Sequence, residues 1–204
     1  MTLQNCNVRD HYFETHDISE AAVKPDRIQE RLDCVLTTFD GLEAAAVAQD
    51  RARFLYLKGR ALNVTGEFSS QAEECLIRAV KLNPDLVPAH NELGESYMRK
   101  HDWTQARTCF EDALRHDKNK VSLRSLSMTL RQISVSSGEE KVANVEQGLV
   151  KGKEAVSLDP GDGQSWSLLG NAYLCHFFQV SQDPKTLKQA MSAYNQAEKD
   201  VVAK

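Results

Sequence analysis

The chain has 204 residues, 41% of them hydrophobic, and a formal net charge of −4. That length supports a buried core without staples, and only 10 glycines and 5 prolines exclude collagen-like and low-complexity chains. The chain as a whole is no polycation, so contact with nucleic acid requires a local basic patch.

No window of 18 apolar residues occurs, so no membrane span is expected. Residues 1–10 are polar and carry no apolar signal segment. The five cysteines, Cys6, Cys34, Cys75, Cys109 and Cys175, form no C-x-x-C pair. An odd number without a signal reads as reduced thiols of the cytosol or nucleus. The sequon Asn63-Val64-Thr65 is expected to stay unglycosylated there.

In chain order, residues 11–16 and 25–48 read as two helices. The second carries Ile28, Leu32, Val35, Leu36, Phe39 and Leu42 at helical spacing. Together they predict a diverged first repeat or cap over 10–48, because an open solenoid end exposes core. The clearest unit follows at 87–118, where Leu93-Gly94 precedes Tyr97 by three and Ala106, Phe110 and Ala113 follow. The pattern is small–large alternation across two antiparallel helices and resembles the tetratricopeptide repeat. It recurs at 52–85 (Leu55, Gly59, Leu62, then Ala72, Leu76, Ala79, Pro84) and at 163–202 (Trp166, Leu169-Gly170, Tyr173, then Ala190, Tyr194, Ala197). A degenerate unit at 120–161 has Leu123, Leu126-Ser127 and Leu130, then Gly148, Ala155 and Pro160.

The crossing residues Gly59, Gly94, Ser127 and Gly170 are 35, 33 and 43 apart. The long step places extra residues near 134–145, and a second insertion falls near 178–185; both read as lengthened turns or helices. The fold expected is an all-α right-handed superhelical solenoid of antiparallel helix pairs in one domain over 1–204. The apolar face of 190–204 predicts that the chain continues.

No nucleotide-loop or nucleophile-elbow motif is present, and no enzyme activity or cofactor is expected. His11 and His16 lie five apart, without a supporting carboxylate, so a metal site there is not favoured. Cys75 and Cys109 each precede the large residue of a second helix, a register that argues for packing. Trp103 and Trp166 fall at inter-helix and opening positions and read as core or groove wall.

What remains is a binding face. Repeat geometry points positions two, five, nine, twelve and thirteen of each unit into a groove. This selects Arg53, Tyr56, Arg60 and Asn63, then Asn91, Glu95, Met98 and Arg99. It continues with Arg124, Met128, Arg131 and Gln132, then Ser167, Asn171 and Leu174. Asn amides can pin a peptide backbone, Arg forks suit carboxylates, and Glu95 could take a basic ligand residue. A chaperone-tail clamp wants Lys and Asn at positions five and nine. Tyr56, Asn91, Arg124, Ser167 and Arg60, Glu95, Met128, Asn171 match it poorly, so a generic chaperone adaptor ranks last.

Several stretches are not generic repeat positions. They include Tyr12-Phe13-Glu14-Thr15-His16, Lys58-Gly59-Arg60-Ala61-Leu62-Asn63-Val64, Arg78-Ala79-Val80-Lys81-Leu82, Asn119-Lys120-Val121-Ser122-Leu123, and Leu126-Ser127-Met128 with Leu130-Arg131-Gln132. With Gly170-Asn171 and Gln196-Ala197-Glu198-Lys199 they resemble the N-terminal repeat region of the tetratricopeptide repeat protein five family, the stress-responsive activators (Strap). The resemblance implies two roles. One is recognition of the nascent tubulin N-terminus, Met-Arg-Glu and one more residue, at the ribosome, followed by tubulin messenger RNA decay through an adaptor and a deadenylase. The other is a nuclear transcription-cofactor scaffold for a histone acetyltransferase in the stress response. It also implies that Arg131 takes the peptide and that Arg78 and Lys81 face ribosomal RNA. A further repeat and an oligonucleotide-binding-like barrel of the family are absent from these residues, and an acidic groove residue of the family lies beyond Lys204.

Overall fold

The computed structural model describes residues 12–202, and over them the chain is helical with no strand. Cys6 and His11 lie outside the described residues. Nine α-helices are described. In order they are α1 (Tyr12–Thr15), α2 (Lys24–Leu62), α3 (Ser70–Leu82), α4 (Val87–Arg99), α5 (Trp103–His116), α6 (Lys120–Gln132), α7 (Gly138–Leu158), α8 (Gly163–His176) and α9 (Pro184–Val202). A 3-10 turn, Ile18–Ala22, precedes α2 and another, Asn63–Thr65, follows it; a π-helical turn, Phe177–Ser181, follows α8. The helices gather into two compact units, residues 1–100 and 101–204.

Helix starts are written in the sequence. Ser69, Asp102, Asn119, Ser137 and Asp162 each accept a backbone N–H from the first turn of the helix that follows. Each such cap stabilises by about 1 kcal/mol. Within α2, Asp50 leaves the helical region (φ −154°, ψ 90°), and its Oδ1 accepts the Arg53 N–H at 2.9 Å. Asp50 therefore ends one helix and caps the next. The expected break between the 25–48 helix and the 52–85 unit is a capped kink.

In the N-terminal unit the core joins Phe54 and Leu55 to Ala79 and Ala89, with Phe39, Cys75 and Leu86 packed against them. Phe39 meets Phe54 edge-on, centroids 5.5 Å apart, so the diverged leading helix seats on the first recognisable repeat. The small residue at the crossing is required by space. A Cβ on Gly59 would lie 2.7 Å from Leu76 Cγ, inside any tolerable contact. Tyr12 is buried, its ring stacked on His16 at 4.1 Å, and the His16 ring bonds the Tyr12 carbonyl at 2.9 Å. His16 thus serves the local fold.

In the C-terminal unit Leu149, Val156, Leu169, Ala172 and Ala193 form a core with Trp166 and Tyr173 against it. Trp166 Nε1 donates to the Pro160 carbonyl at 2.8 Å. Two repeats earlier, the His90 ring bonds the Pro84 carbonyl at the same distance and sequence offset. Two different side chains so fix the same turn. The extra residues of the degenerate unit lengthen α7, which has 21 residues against 13 in α3. The second insertion becomes the π-turn, closed by Gln182 in the left-handed region (φ 47°).

At the α8–α9 crossing, a Cβ on Gly170 would fall 2.7–2.9 Å from the Tyr194 ring. Intrinsic propensity favours Ala over Gly in a helix by about 1 kcal/mol, whereas overpacking costs about 1–3 kcal/mol. Gly170→Ala is therefore expected to lower the melting temperature by about 2–6 °C in circular dichroism melts. A raised melting temperature would mean the crossing is looser than described.

Candidate functional site

The groove positions fall in both units, and each unit is built differently. In the N-terminal unit, Arg60 and Asn63 converge on Glu92. Asn63 Nδ2 donates to Glu92 Oε1 at 3.0 Å, Arg60 Nε lies 4.0 Å from Glu92 Oε2, and Arg60 Nη1 donates to the Tyr56 hydroxyl at 3.3 Å. Asn63 is only 2% exposed, because α2 ends at Leu62 and the chain tightens into the 3-10 turn there. Expected as a groove amide, it is a buried tie to α4. Glu95 is half-buried, 4.0 Å from Arg99, and Asn91 is half-buried on the same helix. Of the ribosome-facing pair, Lys81 is exposed and Arg78 lies 3.8 Å from Glu74. The cations beside them are engaged. Lys100 pairs with Glu73 at 3.2 Å and lies 5.1 Å from the Phe68 ring.

In the C-terminal unit, α6 presents Arg124, Met128 and Arg131 on one face. Arg124, expected to take a ligand carboxylate, already holds one: Nη1 lies 2.6 Å from Asp162 Oδ2, both side chains under 20% exposed. Asp162 also receives Lys120 at 3.2 Å and bonds from the Ser165 N–H (3.0 Å) and Ser165 hydroxyl. Burial alone would push this carboxyl up. The Ser165 hydroxyl, the Arg124 charge, Lys120 and the Ser165 N–H outweigh it and hold the pKa at about 2. Lys120 reaches Asp159 at 2.7 Å as well. Arg124 therefore belongs to a clasp joining α6 to the start of α8.

Arg131 is different. Its Nε donates to the Ser127 carbonyl at 3.0 Å, and no carboxylate pairs with it among the described residues. Burial lowers its pKa below the ordinary guanidinium value, while Cys175 and Tyr194 favour its charged form. The side-chain stem lies over Gly148, where a Cβ would come 3.2 Å from Arg131 Cγ. Ser127 Oγ donates to the Gly148 carbonyl at 2.6 Å, which holds the two backbones at that approach. On the same helix Met128 is 38% exposed, and on α8 Asn171 is exposed, its Oδ1 accepting the Tyr194 hydroxyl at 2.7 Å. Tyr194, whose phenol burial pushes up, read in the sequence as mere filler of a large-residue position. The clasp at Asp162 was equally hidden, although Asp-x-x-Ser at a helix start is a capping signal.

Among the described residues no group of three or more His, Cys, Asp or Glu could hold a metal, and no helix is long and apolar enough to cross a membrane. Cys109 is buried and its thiol is pushed up to about 12, and Cys75 is raised by burial as well, so both are packing groups.

These features define a tetratricopeptide-repeat chain, and the tetratricopeptide-repeat family model matches residues 87–120. Within that class it is similar to the tetratricopeptide repeat protein 5 chains of mammals. It is 49% identical to the mouse protein and 48% to that of cattle, over 94% of this chain and 43% of each relative. The chain thus spans less than half the length of these relatives. The fold also matches MamA from Desulfovibrio magneticus RS-1, with a TM-score of 0.59 at 15% identity, covering 100% of this chain and 99% of that one.

The Asp162 clasp has a testable sign. A carboxyl held near 2, below its ordinary 3.8, stabilises the fold at any pH above about 4 and loses that contribution as pH falls towards 2. The amount is about 2 kcal/mol. Asp162→Asn should remove that part of the acid dependence, measured by urea unfolding at pH 5 and pH 2.5. An unaltered acid slope would contradict the clasp.

Proposed function

We propose that this chain is a peptide-binding adaptor that recognises the N-terminus of nascent tubulin at the ribosome and promotes tubulin messenger RNA decay. The observation that carries the reading is Arg131. A guanidinium held by a backbone carbonyl and the Cys175 thiol, partly dehydrated and without a carboxylate partner among the described residues, retains donors for an acidic ligand side chain. The third residue of Met-Arg-Glu supplies such a group. Met128 adds a flexible thioether surface beside it. Asn171 offers a polar contact next to the same cluster, whereas Arg124 is committed to Asp162 and supports the face from behind. The similarity to the tetratricopeptide repeat protein 5 relatives supports the same reading.

Arg131→Ala should weaken binding of a Met-Arg-Glu-Ile peptide by about 10–100-fold in calorimetric titration, the cost expected for losing a partly buried charged pair. Replacing the peptide Glu by Gln should cost as much against the unsubstituted protein and little more against Arg131→Ala. Equal binding by all combinations would sink the reading. Acetyltransferase capture indifferent to Arg131 is the outcome of the transcription-cofactor alternative, and capture of acidic C-terminal peptides that of the chaperone one.

The ribosome part of the proposal rests on Arg78 and Lys81, three residues apart on the exposed face of α3. Arg78→Glu with Lys81→Glu is expected to abolish cosedimentation with ribosomes at near-physiological salt while leaving the helical circular dichroism unchanged. Undiminished cosedimentation of the folded variant would remove these residues from the role.

A further inference from the structure

Tyr194 on α9 links to both polar groups of the candidate site, to Asn171 by a hydrogen bond and to Arg131 through its charge. Its hydroxyl donates to Asn171 Oδ1 at 2.7 Å, and the phenol and the Arg131 guanidinium each bias the other's charge. The ring reaches that place because Gly170 has no side chain. A Cβ there would sit 2.7 Å from Tyr194 Cε1 and 2.8 Å from Cζ. A phenylalanine in the same place would fill the crossing equally well, so packing accounts for the ring and leaves the hydroxyl to be explained. Burial raises the phenol, which keeps it protonated and a donor at neutral pH.

The consequence falls on Asn171. A primary amide in solvent turns either edge to a ligand, acting as donor or acceptor. Here the oxygen is taken by Tyr194, and the exposed Nδ2 donates to no group among the described residues. The amide is thereby set with its N–H edge available. We infer that Tyr194 is a positioning residue, whose hydroxyl fixes Asn171 as a donor to a main-chain carbonyl of the same peptide whose carboxylate Arg131 takes. This rests on the peptide-binding reading of that site and adds the ligand chemistry it selects: a segment presenting a carboxylate side chain and a neighbouring backbone carbonyl. A pinned amide pays less ordering entropy on binding than a free one.

The test uses two probes. N-acetyl-glutamate methylamide, which carries one carboxylate flanked by two carbonyls, is added to 15N-labelled protein while the Asn171 side-chain amide resonances are followed. They should shift on addition, and Tyr194→Phe, which keeps the ring against Gly170, should move their starting positions and reduce the response. In titrations with Met-Arg-Glu-Ile, Tyr194→Phe should bind about 3–10-fold more weakly, the range of one neutral hydrogen bond. Tyr194→Phe combined with Asn171→Ala should be no weaker than Asn171→Ala alone. Asn171 resonances that ignore the small probe, or respond identically in Tyr194→Phe, overturn the assignment. Failure of Met-Arg-Glu-Ile to bind the unsubstituted protein, with the small probe still shifting Asn171, would instead discard the tubulin reading and keep the assignment.

Discussion

The close approach of α6 and α7 is the constraint on which the C-terminal unit depends. Regular units reach it with a glycine on the first helix under a large residue of the second, as Gly59 under Leu76 and Gly170 under Tyr194. The degenerate unit inverts the arrangement. Its first helix supplies Ser127, its second supplies Gly148 and Gly152, and the Ser127 hydroxyl bonds the Gly148 carbonyl across the gap. That exchange frees a strip of α7 surface over which the stem of Arg131 can lie. A side chain at 148 would press on the Ser127 carbonyl at 3.0 Å and on the Arg131 stem at 3.2 Å, so the stem would have to shift. The departure from the repeat pattern is therefore also what seats the Arg131 stem in the candidate site.

Electrostatics then divides the arginines of α6 by their neighbours. Arg124 and Lys120 meet Asp162, whose position is fixed because it caps α8, so their charge is spent on joining elements. Arg131, two turns further along, has a carbonyl, a thiol and a phenol around it and no carboxylate among the described residues. A paired, buried arginine adds little to recognition, since a ligand would have to displace its partner. A dehydrated one without an anion gains most from acquiring it.

The helix pairs were legible in the sequence because close packing forces small residues to recur near the repeat period, and Gly59, Gly94, Ser127 and Gly170 carry that signal directly. Periodicity alone also assigns Arg131 to one face of α6. Other groove positions were less so. Asn63 has the correct register, yet the helix ends at Leu62 and the tightened turn draws its amide inward to Glu92. Arg124 also has the correct register, and nothing local indicates that Asp162, 38 residues on, completes it. Tyr194 occupies a position where any large residue would serve, so the purpose of its hydroxyl is visible only once Asn171 stands beside it. Periodicity gives the face a residue belongs to; it does not give the partner that face already has.

The proposed function depends on Arg131 carrying a charge with no carboxylate partner among the described residues, ready for an acidic peptide. The most direct measurement follows the guanidinium N–H resonances of Arg131 in 15N-labelled protein as Met-Arg-Glu-Ile is added, with the Glu-to-Gln peptide as control. The Nε–H should already be protected from exchange by the Ser127 carbonyl before ligand is added, and the Nη signals should slow and shift with the Glu peptide alone. Nη signals that never move, or that move equally with both peptides, would contradict it.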